Sequence, residues 1–214
     1  MLLWPSTIDY FLSALTTLMV TVDPPGLAPI FVSLTVGMTP AEQRKVAIRA
    51  TLIAAGVMLG FAFLGQTVLK ALGIGVPAFR IAGGLLLFWI SFEMIFEIRN
   101  RRKSSTAKTA IDEDHIRNVA AFPLAIPLMA GPGTIAATML TAGTAYGDPL
   151  KLSALIVVIA LVSLACIATF FVAERLAHLL GTTGNLVLTR LLGVILAALA
   201  VQFVIDGVRA AAAG

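Results

Sequence analysis

Asp23-Pro24-Pro25-Gly26-Leu27-Ala28-Pro29-Ile30-Phe31 and Ala130-Gly131-Pro132-Gly133-Thr134-Ile135-Ala136-Ala137-Thr138 are the two stretches on which the fold turns. Each lies inside an apolar run, Ile8 to Val36 and Val119 to Ala145, that is long enough to cross a bilayer as a helix. Proline lacks a backbone donor and its ring collides with the preceding turn, so adjacent prolines and glycines interrupt the helix at those points. Hydrocarbon offers no partner to the freed amide and carbonyl groups. Such backbone must therefore be buried in protein or face a wet cavity. Beyond each break a half-helix starts with unpaired N–H groups and the positive end of its dipole, a setting that suits a carboxylate or another anion. Proline and glycine also occur as mere kinks in transmembrane helices. Their recurrence at equivalent places in two halves of one chain favours a binding role.

The surroundings of these stretches are those of a membrane protein. Of 214 residues, 59% are hydrophobic and only 12% charged, and the mean hydropathy is +0.99. A soluble domain of this size needs about twice that charge to form its polar shell. Ala50 to Leu69, Leu152 to Ala173 and Asn118 to Gly147 contain no Asp, Glu, Lys or Arg. Ile8 to Val36, Ile74 to Phe96 and Leu186 to Val208 are apolar runs with one or two charges each. Strand alternation is absent, so these runs predict six helical spans and not a barrel. Met1 to Val22 has no Lys or Arg, which predicts a retained first span and not a cleavable signal. The single cysteine, Cys166, rules out an internal disulfide.

A net charge of +4 and a pI near 9.6 do not point to nucleic acid, because the cations gather in particular loops. Arg44, Lys45 and Arg49 follow the first span, Arg99, Arg101, Arg102, Lys103, Lys108 and Arg117 lie between the third and fourth, and Arg175 follows the fifth. By the positive-inside rule these loops are cytoplasmic and both termini lie outside, in a multi-pass membrane protein. The one hydrophilic segment, Arg99 to Arg117, reads RNRRKSSTAKTAIDEDHIR and is expected to be a solvated linker.

That linker, residues 99–118, separates two halves, 1–98 and 119–214, that resemble each other. Pro25-Gly26 corresponds to Pro132-Gly133 at an offset of 107, Leu72-Gly73 to Leu180-Gly181 at 108, and Arg80 with Gly83 to Arg190 with Gly193 at 110. Each half holds three spans, and an odd number forces the second half to enter from the opposite side. The predicted fold is an all-α membrane protein of six transmembrane helices, arranged as two inverted three-helix repeats with broken first helices. Such repeats place a solute near the midplane.

Candidate substrate-binding residues are those of the two breaks: Asp23, Pro24, Pro25 and Gly26, and Gly131, Pro132, Gly133 and Thr134. A carboxylate at the depth of Asp23 is costly; it suits a coupling proton, a cation or a substrate ammonium, and it also suits a helix cap. Both breaks are expected to line one shared cavity. Arg80, Glu93 and Arg190 are candidates for charge pairing or gating, with snorkelling to the head groups as the plainer account of the arginines. Glu97 and Asp206 read as interfacial. Gly83-Gly84, Gly56 with Gly60, and Gly193 with Ala197 allow close helix contact. No metal-ligand cluster, nucleophile–base spacing or phosphate loop is present, so no cofactor, metal or enzymatic activity is expected.

VDPPGLAPIF (22–31), FRIAGGLLLF (79–88), PLAIPLMAGPGTI (123–135) and LTRLLGVILAALAVQFVIDGV (188–208) together resemble the MarC family of membrane proteins, catalogued also as UPF0056. The resemblance covers nearly the whole chain apart from the linker. It implies six inner-membrane helices and, through some relatives, transport of small neutral amino acids with proton coupling; it carries over no site residues. The resulting expectation is a secondary transporter of a small solute, a small neutral amino acid by resemblance, coupled to protons and embedded in lipid. The alternative is a non-transporting membrane scaffold or complex subunit.

Overall fold

A computed structural model describes residues 7–112 and 119–213. Every regular element among them is helical. In chain order they are α1 (Thr7–Val22), α2 (Pro24–Leu34), α3 (Pro40–Ala71), α4 (Val76–Ile95), α5 (Ile98–Asp112), a π-helical segment (Ala120–Met129), α6 (Pro132–Ala145), α7 (Pro149–Phe171) and α8 (Ala173–Ala213), the last kinked at Gly181.

The starts of these helices follow local chemistry. Thr39 and Glu42 form a reciprocal capping box ahead of α3, with Pro40 at the first position, where no donor is needed. Asp148 accepts from the Leu150 and Lys151 N–H groups to open α7. Pro149 and Pro132 likewise stand at helix starts. Among the described residues five spans, 7–34, 40–71, 76–95, 149–171 and 183–212, are long and apolar enough to cross a membrane. A sixth arises if the π-helical segment and α6, bent 59° at their break, count as one span. The predicted count of six matches this total.

Burial separates inner from outer spans. The span formed by α1 and α2 is 67% buried within the protein, against 28% for α3 and 33% for α7. The broken span is thus shielded and the unbroken ones face outward with Phe63, Leu64, Leu161 and Leu164 exposed. This is the arrangement that hydrocarbon demands, because only intact helices satisfy all their backbone groups without help.

α4 and α8 run antiparallel in close contact. A Cβ on Gly84 would stand 2.9 Å from the Ala200 carbonyl oxygen, one on Gly193 3.1 Å from that of Ser91, and one on Gly207 3.0 Å from that of Pro77. Backbone cannot retreat as a side-chain tip can, so glycine at these positions sets the helix separation. Around that pair, α1 lies against α7, the π-helical segment against α3, α2 against α8, and α6 against α4.

The segment expected to be a solvated linker is a helix, α5, over residues 98–112, set off from α4 by a left-handed Glu97 (φ 65°). It packs on α2, α4 and the π-helical segment. Arg101, Ser104 and Ser105 are exposed as expected, whereas Arg99 and Lys103 are buried. The reason lies in the break it covers. His115 and Arg117 of the same segment lie outside the described residues.

Candidate functional site

Prolines 24 and 25 withhold the two N–H groups that would have bonded the carbonyls of Val20 and Thr21, one turn back. Both carbonyls would be orphaned in the most buried part of the protein. Arg99 supplies the missing donors: Nη1 donates to the Val20 oxygen at 3.5 Å and Nη2 to the Thr21 oxygen. A planar guanidinium with forked donors fits this task as no lysine could. Asp23 sits at the turn itself in the left-handed region (φ 60°, ψ 65°) and caps α2, its Oδ1 accepting from the Gly26 N–H at 3.1 Å. Aspartate tolerates that conformation because its short side chain bonds locally. Gly26 is required at the cap: a Cβ there would collide with the Asp23 carboxylate.

The other carboxylate oxygen, Oδ2, has no hydrogen bond and faces Lys103 Nζ at 3.8 Å. Asp23 and Lys103 are 1% and 7% exposed, so this ion pair is out of water. Burial pushes the Lys103 ammonium down from 10.5 to about 7; neighbouring Arg99 adds to the fall and Asp23 opposes it. Next to Lys103 on α5, Arg102 Nη1 donates to Glu93 Oε1 at 2.7 Å, joining the exposed face of α5 to a buried carboxylate on α4.

The second break is built differently. Its N-cap is Gly131, which offers no side-chain acceptor, and Ala130 stands where the first half has Asp23. Thr134 Oγ1 donates to the Met129 carbonyl at 2.9 Å, and the Ala130 N–H reaches back to Ala125 at 2.8 Å. Phe122 and Ile126, each followed by a proline, have extended dihedrals within the π-helical segment, so the interruption extends upstream of the glycines. A Cβ on Gly133 would displace the tip of the Ile90 side chain, whose Cδ1 stands at that place.

Gly131, Pro132, Gly133 and Thr134 line a cavity of about 300 Å³. Across from them stand Arg99, Arg102, Lys103 and Thr106 of α5, with Trp89 and Ile90 of α4 forming an apolar wall. Of the first break, Pro25 instead lines a cavity of about 150 Å³ with Ala28, Pro29 and Gly181. The expected single cavity shared by both breaks therefore gives way to two; Lys103 lines the larger one and pairs with Asp23 of the first break, which lines neither. The physical reason is that Arg99 and the Asp23 cap satisfy the first break from within, which leaves it no need of a wet cavity.

Of the charge candidates, Glu93 joins this cluster through Arg102. Arg80 is half-buried beside a small crevice with Gln66 and Phe79, and its Nε has no partner. Arg190 is exposed and lies 3.9 Å from Glu97. Arg80 opens α4 and Glu97 follows its end, so the two arginines stand toward opposite ends of that helix. The residues missed from sequence are Arg99, Arg102, Lys103 and Thr106. Their spacing of i, i+3, i+4, i+7 on one helical face was the available signal.

Shielded broken helices, lipid-facing unbroken ones and a buried ion cluster define a multi-pass, all-helical integral membrane protein with a polar interior site. Residues 8–212 match the model of the MarC family integral membrane proteins, and the chain belongs to that family. It is 37% identical to a UPF0056 membrane protein of Methanocaldococcus jannaschii over 95% of this chain and 98% of that one. It is also 37% identical to the UPF0056 membrane protein YhcE of Escherichia coli over 88% and 86% of the two chains. A UPF0056 membrane protein of Archaeoglobus fulgidus is 32% identical over 94% and 92%. No solved structure matches the chain.

Proposed function

We propose that the protein is a secondary transporter of a small solute, not an enzyme, and that the solute binds within the membrane at the helix breaks between two inverted repeats. The observation that carries this reading is the cavity at the second break, where an uncapped helix start faces buried cations inside a membrane protein. A scaffold gains nothing from unwinding two helices at such a cost. The family resemblance names a small neutral amino acid as solute and protons as the coupling ion, and Asp23 is the carboxylate suited to the proton.

The neighbour relations of the helices support the repeat. Exchanging α1 with the π-helical segment, α2 with α6, and α3 with α7 turns the packing of α1 on α7 into that of the π-helical segment on α3. With α4 and α8 exchanged as well, α2 on α8 becomes α6 on α4. The sequence offset of 110 behaves likewise: the contact of Gly84 with Ala200 and Val204 maps onto 194 with 90 and 94, and Gly193 packs on Ser91 and Met94. An antiparallel α4–α8 pair is what an axis in the membrane plane produces.

Purified protein in liposomes, given a panel of labelled small amino acids with and without a pH gradient, is expected to accumulate at least one of them. Absence of uptake for every small solute tried, by protein that elutes as a folded species, would overturn the reading. The proposed orientation has both termini outside and α5 in the cytoplasm of a bacterial-type inner membrane. A cysteine at exposed position 104 (Ser104→Cys) is then expected to react with an impermeant maleimide only after the cells are opened. Labelling of intact cells would invert the topology.

A further inference from the structure

We propose that the cavity between α5 and the start of α6 is an anion site that receives the carboxylate group of the carried solute, held by Lys103, Arg102 and the α6 N-terminus. The proposal rests on the transporter reading and adds which group of the solute is held in this cavity, and by which residues. Among the described residues, the cavity wall contains three cations, Arg99, Arg102 and Lys103, and no Asp or Glu. Asp23 and Glu93, which balance two of those cations, stand outside the lining and approach them from behind. The charged side chains that line the cavity among the described residues are therefore all basic.

Lys103 is 7% exposed and its Nζ makes no hydrogen bond; its one ion-pair contact is 3.8 Å away. Its Nζ is itself sealed from the cavity, so its donors reach an acceptor there once the side chain turns from Asp23. Opposite it, α6 begins at Gly131 without a side-chain cap, so its first free N–H groups and the positive end of its dipole point the same way. Thr106 and Thr134 add hydroxyls to the lining. A cavity of about 300 Å³ lies at the small end of ligand sites. It admits a small monocarboxylate or amino acid. An anionic lipid head group presents the same charge, so the source of the anion has to be tested separately.

Trp89 lines the cavity and is one of two tryptophans, so a Trp4→Phe background makes its fluorescence a reporter of equilibrium binding without any transport step. In phosphatidylcholine nanodiscs, acetate and alanine are expected to change that signal saturably, and acetamide and alaninamide are not. Lys103→Gln, made together with Asp23→Asn so that no buried carboxylate is left unpaired, is expected to weaken binding by about tenfold or more, the loss of one charged hydrogen bond. Arg102→Gln with Glu93→Gln is a second neutral pair for the same test.

Binding of carboxylates and amides alike, or undiminished binding by both double variants, would overturn the anion site. Loss of carboxylate binding when phosphatidylglycerol replaces phosphatidylcholine would assign the cavity to a lipid phosphate and overturn it also. Uptake of some solute with no carboxylate binding would sink this inference alone and leave the transporter reading standing. Carboxylate binding without uptake of any solute would do the reverse.

Discussion

Arg99→Met is expected to be the most damaging single substitution in the protein. The methionine keeps much of the stem volume but removes both donors to the Val20 and Thr21 carbonyls. Each buried acceptor left without a partner costs about 1–3 kcal/mol. The helical donors that would otherwise serve both carbonyls are missing, because Pro24 and Pro25 have no N–H. Asp23 and Lys103 also lose the neighbour that fixes α5 against the break. A large fall in the apparent melting temperature of the detergent-solubilised protein is expected, with little protein reaching the membrane. Arg99→Lys keeps the charge but not the fork and is expected to fall between the two. A methionine variant as stable as the parent would mean that another group bonds those carbonyls.

Asp23→Asn is expected to have the largest effect on function while sparing the cap on α2. The asparagine side chain still offers an oxygen to the Gly26 N–H, so the cap on α2 survives. The charge opposite Lys103 does not. If Asp23 carries the coupling proton, transport is abolished while the protein inserts and elutes as before. Asp23→Ala removes the cap as well and is expected to cost about 1 kcal/mol more in stability. Near-normal uptake by Asp23→Asn would reduce the residue to a structural cap. The informative control is Lys103→Gln in the same background: if unpaired Lys103 is the cause of any instability in Asp23→Asn, the double variant is the more stable of the two.

The position of the breaks was readable because it depends on proline alone, but their depth was not. α1 has 16 residues and α2 has 11, while the π-helical segment has 10 and α6 has 14. At 1.5 Å per residue, each break is displaced toward the end of its span that adjoins α5. That displacement is what lets side chains from α5 reach Asp23. The linker was misjudged for a related reason. A run such as RNRRK usually stays in water because burying a charge is expensive. Here two carbonyls, one carboxylate and a second carboxylate on α4 await it, and none of these needs is visible within the run itself.

Membrane class, spans, the two breaks and the family were legible in the chain, and a cap was one of the roles open to Asp23. All of these follow from local properties: the length of an apolar run, a missing proline donor, a carboxylate next to free amides, and motifs read in order. Tertiary structure alone decided which groups would answer the broken backbone. Arg99 meets Val20 and Thr21 from 79 and 78 positions away, and Lys103 meets Asp23 because α5 folds back beneath the break. Pairing at that distance depends on the direction in which α5 leaves Glu97 and on which face it turns inward. Those are outcomes of packing against α2, α4 and the π-helical segment, and no local rule supplies them.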